Sequence, residues 1–175
     1  MKIYNLDNEK SKIRWSSQIG NQKINGEMST HDGKLISELG KVIEGNVWID
    51  LGSMKVTDNS LSKEERKKIE DELKSFPLLR NDENLANYKI EEVIPQKNNS
   101  RVKGLLMISN QAFGIDVMTN FEESEDVLRA TGKVAVENSN PVLLQELDHL
   151  YDSQLHDEKS ITSFEVECEG DSATC

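Results

Sequence analysis

The chain lacks any apolar run that could cross a bilayer as a helix. Its longest is Leu105-Leu106-Met107-Ile108, where a span needs roughly 18–20 residues. The opening Met1-Lys2-Ile3-Tyr4-Asn5-Leu6-Asp7 also lacks the apolar stretch of a secretion leader. We therefore do not expect an integral membrane protein. The chain fits a cytoplasmic protein as written, and equally a periplasmic one whose leader has been removed. Positive charge is in short supply: 21 Lys and Arg face 32 Asp and Glu, for a net charge of −11. An acidic surface of that size repels phosphate backbones and anionic headgroups, which argues against nucleic acid as a partner. Cysteine is nearly absent. Cys168 and Cys175 both lie near the C-terminus, and a disulfide between them would staple only the tail. A strand cysteine plus a terminal one is the plainer reading, and the pairing stays open.

Chemistry-bearing motifs are missing too. There is no nucleophile elbow, Walker loop, dinucleotide fingerprint or CxxC pair. Of the three histidines, His31 stands beside Asp32 in what reads as a solvated turn. His149, Asp152 and His156 could share a helix face with Asp148 and Asp157 nearby. Their spacing matches no standard zinc motif, and an acidic helix end accounts for them as well. The stretch from Asp50 to Asp58 lacks calcium-loop spacing. Carboxylates are so abundant that no acid–base pair stands out. The sequence therefore assigns no catalytic residue, no metal ligand and no cofactor, and the balance tilts toward binding.

What the chain does have is alternation. Its 175 residues suit one domain spanning 1–175 with a sizeable core. The composition is polar, with 35% hydrophobic and 30% charged residues, yet the apolar residues recur with period 2 between turn residues. Ser11 to Ile19 reads as a strand carrying Ile13 and Trp15, followed by Gln22 to Met28. His31-Asp32-Gly33 reads as a turn with positive φ at its tip, returning through Gly33 to Leu39. In Lys41 to Lys55, Val47, Ile49 and Leu51 alternate with Asn46, Trp48 and Asp50, which predicts one buried face. The segments Leu85–Pro95, Arg101–Asn110, Ala112–Glu122, Val127–Glu137 and Ile161–Glu169 read as further strands. One amphipathic helix interrupts them. Ser62 and Glu65 form a capping box, Ile69, Leu73 and Phe76 share a face, and Pro77 ends it. A second helical signal starts at Pro141, with Leu143, Leu147 and Leu150 following. About eight strands with one or two helices imply a mainly β sandwich or up-and-down barrel.

The order of these elements resembles the YceI-like family of lipocalin-like, polyisoprenoid-binding proteins. The likeness rests on Tyr4-Asn5-Leu6-Asp7 with Ser11-Lys12-Ile13-Arg14-Trp15, then Ile24-Asn25-Gly26 with Gly33-Lys34-Leu35. It continues in Gly45-Asn46-Val47-Trp48-Ile49-Asp50-Leu51-Gly52-Ser53-Met54, in Leu73-Lys74-Ser75, and in Val102-Lys103-Gly104-Leu105-Leu106-Met107-Ile108. It spans almost the whole chain, and it departs at Phe76-Pro77-Leu78-Leu79-Arg80 and at Asn110-Gln111-Ala112-Phe113. The resemblance implies an eight-stranded antiparallel lipocalin-like β-barrel with one or two short helices at its rim. It also implies an isoprenoid quinone, polyprenyl lipid or fatty ligand held inside. The lining expected for such a ligand is Val47, Ile49 and Leu51 on one strand and Ile108 and Val117 on a central hairpin. Val134, Val136, Phe164 and Val166 complete it on the last two strands. A filled barrel acting as an interaction protein and a carboxylate-dependent enzyme on the same fold are the alternatives. Oligomeric state, including a homodimer, stays open.

Overall fold

The computed structural model describes residues 1–19, 22–75, 84–124, 126–134 and 163–173; for 16–19, 22–23 and 163–173 it describes the backbone alone. Among the described residues the elements are β1 (Lys2–Leu6), β2 (Lys12–Ile19), β3 (Gln22–Glu38), β4 (Lys41–Val56), α1 (Lys63–Lys74), β5 (Leu85–Pro95), β6 (Ser100–Ile108), β7 (Gln111–Ser124), β8 (Val127–Val134) and β9 (Ser163–Ala173). The second helical signal, from Pro141, lies outside the described residues, as do Phe76 and Pro77.

All neighbouring strands run antiparallel, and the sheet closes on itself. β1 and β2 are two pieces of one wall position. β1 pairs with the far half of β3 (Tyr4 opposite Leu35) and of β9 (Tyr4 opposite Ser172). β2 pairs with the near half of β3 (Trp15 opposite Gly26) and of β9 (Trp15 opposite Phe164). Around the remaining wall each strand pairs with the next in sequence, β3 to β4 and on to β9. The result is a near-closed, eight-position up-and-down barrel.

The interruption between β1 and β2 explains why His31-Asp32-Gly33 is not the expected turn. β3 runs unbroken through it, with register shifts at Glu27/Ser29 and Thr30/Asp32. The β1–β2 link docks on that bulge: Asn8 Nδ2 donates to the His31 carbonyl at 2.7 Å, and Thr30 Oγ1 donates to Asn8 Oδ1 at 3.0 Å. Asp32 uses its side chain as it would in a turn, accepting from the Gly33 N–H at 2.7 Å. Gly33 is needed for close approach, since a Cβ would sit 2.8 Å from the Asn46 carbonyl oxygen. The true reversal comes later. Leu39 and Gly40 both take positive φ (51° and 75°) between the paired Glu38 and Lys41, as a two-residue hairpin requires.

Helix α1 bridges β4 and β5 and packs on β4. Its capping box is formed as the sequence indicates: Ser62 Oγ accepts from Glu65 N–H at 3.2 Å, and Glu65 Oε2 accepts from Ser62 N–H at 2.8 Å. Leu73 is buried, Ile69 packs against the core, and Glu70 Oε1 accepts from the Val56 N–H at 2.8 Å, tying the helix to the end of β4. Ser62→Ala is expected to lower stability by about 1 kcal/mol by releasing the Glu65 N–H. Urea unfolding followed by circular dichroism measures this. Among the described residues no helix is long and apolar enough to cross a membrane.

Candidate ligand-binding site

Directly opposed residues in antiparallel strands share a face, so the register traces one interior surface around the barrel. Val47 stands opposite Tyr88, and Ile49 opposite Ala86. Tyr88 and Ala86 stand opposite Leu106 and Ile108. Val102 stands opposite Val117, and Val117 opposite Val134. Gly132 is opposite Val166, and Val166 opposite Ile13. Of the expected lining residues, Val47, Leu51, Ile108 and Val117 are buried. Ile49 and Val134 are partly buried and pack against the core. Phe164 and Val166 occupy interior register positions, opposite Trp15 and Ile13, while Val136 lies outside the described residues. Val47 is buried yet stands outside the contiguous cluster of buried apolar side chains.

Two aromatic rings lie against the inner wall over a glycine, directly opposite for Trp15 (Gly26) and diagonal for Tyr88 (Gly104). A Cβ on Gly26 would fall 2.1 Å from Trp15 Cζ2, and one on Gly104 would fall 2.4 Å from Tyr88 Cζ. Tyr88 settles its polar end, donating to the Ile115 carbonyl at 3.0 Å with the Val102 carbonyl at 3.3 Å. Burial pushes its pKa well above the usual range, and the charges of Asp116 and Glu91 add to this. Tyr88 therefore stays protonated and polar-satisfied. Trp15 does not settle its own: Nε1 is buried with no hydrogen-bond partner. An unmet donor of this kind costs about 1–3 kcal/mol.

One end of the barrel, where the β3–β4, β5–β6 and β7–β8 connections lie, carries an inward polar cluster. Glu123 continues the interior phase of Val117, Thr119 and Phe121, and stands opposite Leu128. Its Oε1 accepts from the Tyr4 hydroxyl at 2.5 Å, and its Oε2 accepts from Ser37 Oγ at 3.0 Å. Lys2 Nζ lies 3.1 Å from Oε1. Tyr4 and Ser37 are almost fully buried, at 1% and 2% exposure. The Tyr4 hydrogen bond, with those from Lys2 and Ser37, holds the Glu123 carboxyl below its ordinary pKa despite partial burial. Burial and the same bond push the Tyr4 hydroxyl up, so it remains the donor. Because the folded pKa of Glu123 is depressed, its stabilisation is present above the unfolded value near about 4.3. It is lost as pH falls through the lower folded value. Acid titration of thermal stability should show this loss in the intact chain, and Glu123→Gln should flatten that part of the curve.

Arg101 donates through Nε to Asp116 Oδ2 at 2.6 Å, on the outer face between the interior positions Ile115 and Val117. The carboxyls of Asp7, Glu27, Asp58, Glu65 and Glu123 are all held below their ordinary pKa values, led by a side-chain or backbone hydrogen bond. Among the described residues no three His, Cys, Asp or Glu side chains converge as metal ligands; His149, Asp152 and His156 lie outside them.

The fold is similar to that of Burkholderia cenocepacia BcnA. That crystal structure superposes with a TM-score of 0.64 over 97% of this chain and 99% of its own, at 16% sequence identity. The likeness agrees with the antiparallel barrel that the strand order implied. No protein-family model matches the chain, and no curated protein matches it in sequence. At this identity, what BcnA and the chain share is the barrel. Both the Trp15–Gly26 stacking and the Glu123 cluster were missed by reading the sequence, although Glu123 carried a signal: a charge in the apolar phase of β7.

Proposed function

We propose that the chain binds a long apolar or amphiphilic ligand, an isoprenoid quinone, polyprenyl lipid or related fatty molecule, inside the barrel. It would store or carry the ligand without chemical change. The observation that carries this reading is a near-closed eight-position barrel whose inner face is apolar from Ile13 round to Val134. Its inward charge is gathered at one end, in the Glu123 cluster. The end-to-end likeness to BcnA supports it as well. A tail in such a tube gains about 0.8 kcal/mol per buried CH₂, with no catalytic group required. The polar cluster at the hairpin end favours entry from the end that carries α1.

The contiguous packing of buried apolar side chains across the interior favours the other reading, a filled barrel that serves as an interaction protein. Titration with the fluorescent probe 1-N-phenylnaphthylamine, followed by displacement with decylubiquinone or farnesol, separates the two. Ligand binding predicts saturable uptake and displacement. A filled barrel predicts neither.

A further inference from the structure

We infer that Trp15 is the polar recognition point of the barrel interior. Its indole N–H takes the acceptor oxygen of a bound ligand, so the ligand class is an apolar chain bearing a carbonyl group rather than a bare hydrocarbon. This rests on the ligand-binding reading above.

Trp15 is 6% exposed, and its Nε1 has no partner. Other interior polar side chains are satisfied within the protein. The Tyr4 and Ser37 hydroxyls meet Glu123, Tyr88 meets two carbonyls, Thr119 reaches the Val117 carbonyl, and Thr30 meets Asn8. The other buried unpaired nitrogen, Asn87 Nδ2, belongs to the outer-face phase, opposite Trp48 and Met107. Among the described residues, Trp15 is thus the exception on the inner face.

The ring is held where it is. It lies across Gly26, whose missing Cβ leaves the space it fills, and the Lys55 carbonyl closes that side. Its companions in the buried cluster include Ile13, Ile24, Met28 and Val56; the Met28 thioether is a weak acceptor and the other three side chains offer none. A phenylalanine would meet the packing need alone; an indole suits a site where its N–H reaches a partner. The position also agrees with entry from the helix end. Gly26 stands opposite Val56, the last residue of β4 before the chain leads into α1.

The experiment uses the full chain carrying Trp48→Phe, which leaves one of its two indoles. The ¹⁵N–¹H indole resonance is followed while farnesylacetone, and separately the hydrocarbon farnesene, displaces 1-N-phenylnaphthylamine. A downfield move of the indole proton with the ketone and not with the hydrocarbon is expected. Trp15→Phe should weaken farnesylacetone about tenfold, the worth of one hydrogen bond to a buried acceptor, and change farnesene by less than about twofold. If both ligands bind but move the resonance alike and lose affinity alike in Trp15→Phe, Trp15 is packing only. The ligand-binding reading would then stand without it. If neither ligand binds the intact chain, that reading falls and the inference falls with it.

Discussion

Gly26→Val is expected to lower stability by about 3 kcal/mol or more, among the largest effects of any single substitution in the barrel. A Cβ at position 26 meets Trp15 Cζ2 at 2.1 Å, Trp15 Cε2 at 2.2 Å and the Lys55 carbonyl oxygen at 2.6 Å. The first two belong to a rigid ring and the third to backbone, so no flexible side-chain end can give way. The indole must leave the wall or the β3–β4 pairing must open. Gly114 is the control, because a Cβ there meets nothing within 4 Å. Gly114→Ala should stay within about 0.5 kcal/mol of the parent. Denaturant midpoints measure both. A Gly26→Val chain as stable as the parent would mean that the indole does not rest on position 26.

The second large effect concerns the interior itself. Ile49→Asp should abolish uptake of an apolar ligand, weakening it by more than about a hundredfold, because a carboxylate cannot enter an apolar tube unpaired. Ile49 is only partly buried and stands opposite Ala86 and Thr30, so the fold is expected to survive. Asn46→Asp, in the opposite phase of β4, should leave binding unchanged. Displacement of the fluorescent probe reads both variants, with circular dichroism to verify the fold. A folded Ile49→Asp chain that binds as before would remove this face of β4 from the lining.

The parts of the barrel that could be read from the sequence are those set by local period. β4 shows the clearest case: burying one face of a strand forces Val47 and Leu51 inward and leaves Asn46 and Trp48 more exposed. The capping box of Ser62 and Glu65 is also local, and it forms as read. The Asp-Gly pair at 32–33 misled because its chemistry serves two ends. The Asx contact that tightens a turn here stabilises a bulge, and the choice was made by Asn8, more than twenty positions earlier in the chain. β1 has five residues and no pattern of its own; it is fixed by pairing with β3 and β9. The contacts that shape the candidate site are less local still. Tyr4 and Glu123 are 119 positions apart, and no spacing rule joins them. Trp15 meets Gly26 only because the β2–β3 register brings them opposite.

Whether the barrel holds a long apolar ligand is decided by mass spectrometry of the purified chain. The chain would be measured first under native conditions and then after organic extraction. A stoichiometric species bearing a prenyl or acyl chain is expected, or its appearance once a quinone or polyprenyl lipid is added. A chain that carries no such species and takes up none would overturn the ligand-binding reading and identify the barrel as a filled scaffold.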